Sequence, residues 1–171
     1  MTEHKPVMPE PWLRGTLTDV PAVARAVLHA LELAKEDLWK WCFPLSEQEL
    51  HHRPGQNASV AFYLRHIAGS LDRLLTYAEG ATLSEAQLLE LRAELESPAS
   101  KHDELFAHLE HALARSHQRV RALGSQDLET PRVVGRKRLP TTIGGLLVHV
   151  ADHTQRHVGQ AITTAKFVAH R

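Results

Sequence analysis

Cysteine is almost absent from this chain. Cys42 stands alone among 171 residues, so no internal disulfide can form and a Cys-rich zinc cluster is excluded. A reducing, cytoplasmic setting is the expectation. An excess of either charge is missing as well: 20 Lys and Arg balance 20 Asp and Glu, and the pI is near 7.3. Nucleic-acid binders carry a basic excess, so no nucleic-acid partner is expected. No apolar run approaches the ~18 residues that span a bilayer. The opening MTEHKPVMPEP also lacks the apolar stretch of a secretory signal, so no membrane partner is expected. Aromatic residues are scarce, 5% against 43% hydrophobic overall. Leucine and alanine make up much of the difference, which favours helix over sheet.

The length suits one domain, 1–171, with residues 1–17 as an N-terminal extension. Four long amphipathic segments follow. The first runs from about Val20 to Cys42, capped by Thr18 or Asp19, with Val20, Ala24, Val27, Leu31, Ala34, Leu38 and Trp41 in one stripe. The second covers about Ser59 to Ala78 and ends at Gly80. A short connecting helix lies at 83–95 with Ser84 as its cap. The third long helix spans Lys101 to Leu123, capped by Ser100, and the fourth Thr142 to Val168. The segments PLSEQELHHRPGQN and ETPRVVGRKRLPTT read as loops. Four such rods and no convincing strand predict an all-α four-helix bundle. Its connections of about a dozen residues permit a crossover topology.

Histidine, by contrast, is abundant, with 13 in the chain. HVADHTQRH (149–157) places three of them at steps of four. Random placement predicts about one such pair, and two occur. Spacing alone therefore says little, and position on the helix says more. Successive residues turn by ~100°, so His157 falls in the apolar sector of Ile143, Leu146, Val150, Ala161 and Val168. His153 lies at its edge, and His149 lies further round, toward Asp152 and Arg156. Two imidazoles one turn apart can hold one Zn²⁺-like ion; two core histidines bonded to polar neighbours are the alternative. A third ligand could come from His29, His66, His108, His111, His51 or His52. His66 is attractive because Ala68, Gly69 and Ser70 leave room beside its ring.

The stretches LRHIAGSLDRLLTYAEG (64–80) and GLLVHVADHTQRHVGQ (145–160), with Pro-Thr-Thr leading into the latter, resemble the DinB/YfiT-like superfamily. That resemblance implies a four-helix bundle with a divalent metal on one helix-two histidine and an HxxxH pair, here His66, His153 and His157. It also implies activities such as thiol transfer or isomerisation with a low-molecular-weight thiol, or hydrolysis, and allows a homodimer. Zinc or nickel leads among the metals, although histidine also suits iron and copper.

Such an ion lowers the pKa of bound water toward ~7 or holds a thiol as thiolate, and the residues do not choose between these. Thr154 stands where HExxH proteases carry glutamate, so the pair supplies no general base. Gln160 is a candidate to bond a ligand ring or a substrate. Arg73, Arg136 and Arg138 are candidates to hold an anionic small-molecule substrate or the carboxylates of a thiol. The leading expectation is a metal-dependent thiol transferase or hydrolase acting on a small molecule. The alternative is a non-catalytic metal-binding or interaction bundle.

Overall fold

The computed structural model describes residues 8–96 and 100–169; residues 1–7 of the expected N-terminal extension lie outside them. Six α-helices and one two-stranded sheet are found among the described residues: α1 (Ala22–Trp41), α2 (Glu47–His51), α3 (Val60–Ala78), α4 (Glu85–Glu96), α5 (His102–Gly124), β1 (Pro131–Val134), β2 (Leu139–Thr142) and α6 (Ile143–Val168). The four long helices are those the apolar stripes define. They pack in the cyclic order α1–α6–α3–α5, so α1 and α3 are diagonal, as are α5 and α6. The long connections thus carry the chain across the bundle, and the crossover makes α3 and α6 neighbours. Leu28, Leu38, Leu64, Ile67, Leu71, Leu75, Leu109, Leu123, Ile143 and Leu147 are fully buried at the centre. Each such side chain contributes about 1.5–3 kcal/mol of transfer free energy.

Local chemistry sets the ends of the two helices that matter most. Ser59 accepts a bond from Phe62 N and caps α3. At its other end Gly80 adopts φ +84°, with Gly80 N bonded to Tyr77 O and Ala81 N to Thr76 O. This paired arrangement needs a left-handed residue, which glycine supplies without steric penalty. Thr142 accepts from Gly145 N and starts α6. No helix among the described residues is long and apolar enough to cross a membrane.

Four sequence expectations need correction. Residues 131–142, expected as irregular, form an antiparallel hairpin in which Val134 pairs with Leu139 and Pro131 with Thr142. Its β-branched residues flank a turn that uses left-handed Gly135 and Arg138, closed by Arg138 N to Gly135 O at 3.0 Å. Glycine suits that conformation. The loop after α1 contains α2, whose Ser46 and Glu49 form a reciprocal capping box, a signal present in the sequence as S-x-x-E. Helix α1 begins at Ala22, after Pro21, and neither Thr18 nor Asp19 caps it; Asp19 instead pairs with Arg121 on α5. Lys101, not Ser100, occupies the cap position of α5, because Ser100 is drawn to Arg65 and His51.

Candidate metal centre

His66 sits in the second turn of α3, and His153 and His157 sit one turn apart near the middle of α6. The contact between those helices brings together rings 87 residues apart in sequence. His66 Nε2 lies 3.1 Å from His153 Nε2. The His157 ring centroid is 4.5 Å from each of the other two. One ligand atom from each of the three falls within 4.8 Å of the others, and all three side chains are partly buried.

The outward nitrogens are tied down. His66 Nδ1 donates to Glu94 Oε2 at 2.9 Å, and His157 Nδ1 donates to Gln160 Oε1 at 2.6 Å. Those bonds leave Nε2 of each ring as the lone-pair nitrogen facing inward. Phe62 stacks on His66 at 5.6 Å and Tyr63 on His157 at 6.0 Å, which limits rotation of both imidazoles. Burial, followed by repulsion from His157, His66, His149 and Arg156, holds His153 down at about 4. Burial and His66 likewise push His157 below the ordinary imidazole range, outweighing the bond to Gln160. These two rings are therefore neutral at pH 7, the state in which histidine binds a cation.

The donor set fits a divalent ion. Two nitrogens held tetrahedrally at the Zn–N distance of ~2.1 Å lie ~3.4 Å apart, close to the 3.1 Å seen here between His66 and His153. Oriented outer partners on two of the three rings match what metal-ligating histidines usually have. Beside the rings opens a cavity of about 240 Å³ lined by His66, Ser70, Arg73, Leu74, Tyr77, Leu83, Leu91 and His153. Its walls are mainly apolar, and among the described side chains no carboxylate lines it.

The other candidates fall elsewhere. Arg73 lines the cavity, but it is buried and its guanidinium binds Glu94 through two bonds, 2.6 and 3.2 Å. Arg136 and Arg138 lie in the exposed hairpin turn; Arg138 borders a separate hollow with Tyr77, Gly80 and Arg132. His149 is half-buried and pairs with Asp152 at 2.9 Å, while Arg156 approaches the same carboxylate at 3.9 Å. His29 bonds Thr16 and His51 bonds Ser100. His108 borders a cavity between α3, α4 and α5. Thr154 is buried in the core, so the position of the protease glutamate does not face the cavity. Trp39 packs against Phe43 and Phe106 at the bundle end, while Trp41 is partly exposed and lies under Lys40 and Lys166.

Glu94 was not foreseen from the sequence. It is 4% exposed. Burial pushes its carboxyl up, but the bonds from His66 and Arg73 outweigh this and hold it below the ordinary range. The available signal was weak: Gln87, Leu91 and Glu94 follow at steps of four and three, a stripe polar at both ends.

A mainly helical bundle with three inward histidines on two adjacent helices defines a class of protein whose site could hold a metal ion. The family model described as the DinB superfamily matches residues 30–161, and the chain belongs to that superfamily. The matched span includes all three histidines. No curated protein sequence matches the chain.

Proposed function

We propose that His66, His153 and His157 hold one divalent ion and that the protein is a metal-dependent enzyme acting on a small molecule. The convergence of one ligand nitrogen from each of three imidazoles within 4.8 Å, with two of the outer nitrogens already bonded, carries this reading. The ion would supply a positive charge that favours the anionic form of a thiol or water at neutral pH.

The surroundings favour a thiol. Hydrolysis usually draws on a general base within ~3 Å of the attacking water, and among the described side chains no carboxylate lines the cavity beside the rings. Glu94 lies on the far side of His66 and is engaged by Arg73. A thiol, with an ordinary pKa near ~8.5, needs far less help to ionise than water does. Leu74, Tyr77, Leu83 and Leu91 offer an apolar wall, suited to an electrophilic substrate with an alkyl or aryl portion. Gln160 acts on this reading as an anchor for His157, and Arg73 as a partner of Glu94 more than as an anion site.

The test loads the purified protein with zinc or nickel and offers it small thiols with an electrophile panel, and ester or amide substrates separately. Thiol conjugation that a chelator abolishes and metal restores is the expected result. Metal-dependent ester or amide hydrolysis without thiol conjugation would move the assignment to a hydrolase. Stoichiometric metal with no turnover in either panel would leave a structural metal bundle and overturn the enzyme reading.

A further inference from the structure

Helix α4 is joined to the bundle in an unusual way. Leu89 is 61% exposed, and Leu88 and Leu91 are only partly covered, whereas Glu94 is 4% exposed. The most deeply placed described side chain of this helix is a carboxylate. Burying a charge is costly unless it is paired and hydrogen-bonded, so the place where Glu94 lands must be built for it. Arg73 meets it with two bonds, His66 Nδ1 with a third. Gly69, one turn from both Arg73 and Arg65 on α3, makes the space. A Cβ at that position would fall on Glu94 Oε1 and lie 2.6 Å from Arg73 Nη1. Nearer the start of α4, Gln87 donates to Asp72 and Thr76. Among the described side chains of α4, polar bonds from Gln87 and to Glu94 tie the helix to α3.

We infer that Glu94, seated by Arg73 and Gly69, is a positioning residue that couples metal occupancy at the three histidines to the docking of α4. The inference rests on the reading of those histidines as ligands. A carboxylate accepting from Nδ1–H fixes the His66 tautomer and turns its Nε2 toward His153 and His157. It also makes that nitrogen a stronger donor. Coupling of this kind is reciprocal. An ion drawing density from Nε2 sharpens the Nδ1–H bond to Glu94 and with it the hold on α4. Because α4 supplies Leu91 to the cavity wall, with Leu83 just before it in the chain, an occupied centre would also have a better-formed substrate wall.

The test compares wild type, Glu94→Gln and Gly69→Ala. Gly69→Ala keeps every ligand and charge, adds a better helix former, and displaces only the flexible ends of Glu94 and Arg73. It therefore decides the matter even if Glu94→Gln folds poorly. Three readouts are taken: zinc affinity by chelator competition, the visible spectrum of the cobalt(II) form, and amide exchange of residues 85–96 with and without zinc. Wild type should show slower α4 exchange on zinc addition. Both variants should bind zinc about 10–100-fold more weakly, show a shifted cobalt spectrum, and lose the effect of zinc on α4. A Gly69→Ala protein that binds zinc within threefold of wild type, with an unchanged spectrum, overturns this inference alone. A folded wild type that takes up neither metal overturns the ligand reading and this inference with it.

Discussion

Replacing His157 by alanine separates the fold from the metal. In the free protein the His157 ring touches His66, His153 and Tyr63, and Nδ1 bonds Gln160. Truncating a half-buried side chain of this kind costs about 1 kcal/mol. With zinc the comparison changes. At free zinc of about 100 times Kd, binding to the native state alone stabilises wild type by about 2.7 kcal/mol. For a chain of this size each kcal/mol moves Tm by roughly 2–4 °C, which gives a shift of about 5–11 °C. With one of three ligands gone, the same zinc concentration falls to around Kd or below. The gain then drops under about 0.4 kcal/mol, or roughly 1 °C. Scanning calorimetry of both proteins, with chelator and then with buffered zinc, measures the two differences. An equal zinc-induced shift in wild type and His157→Ala would refute the three-histidine centre, whatever the stability of the free forms.

Acid should weaken the metal-free protein through His153. Its folded pKa of about 4 lies below the ordinary imidazole value of 6.5, so the unfolded chain binds more protons between those limits. Stability is therefore intact above pH ~6.5 and is lost as pH falls toward 4. The loss is at most about 3 kcal/mol and smaller after allowance for partial exposure. Urea titrations at pH 7.5 and 5.0 check this, and a flat profile contradicts it. Gly124→Ala should cost about 1–3 kcal/mol, since the new methyl meets Ala24 Cβ where α5 crosses α1; an unchanged urea midpoint would dispose of the argument. Cys42, fully buried and pushed up to about 12, chiefly by burial, should ignore thiol reagents in the native state and react only on unfolding.

What could be read along the chain was whatever repeats with the period of a helix. The stripes of α1, α3, α5 and α6 show in the sequence because each residue turns the helix by a fixed angle, so spacing alone tells which side chains share a face. The same arithmetic put His153 and His157 on the inner side of α6 and His149 outside. It could not see the hairpin at 131–142, whose strands are four residues each and are held by pairing with one another more than by a pattern of their own. It also could not find Glu94. In LSEAQLLELRAEL that residue looks like one of several solvated acids, and its buried position is made by distant residues that include Arg73 and His66, 21 and 28 residues away.

The sequence alone thus determined the four rods, their inward faces and the spacing of one histidine pair, because each depends on backbone geometry within a few residues. The tertiary structure decided that α6 lies between α1 and α3, diagonal to α5. It also decided that the ring of His66 meets those of His153 and His157, and that a glutamate from a short helix holds it there. Those outcomes depend on which faces abut after the chain crosses the bundle, a balance of burial and pairing between distant segments that no local pattern encodes.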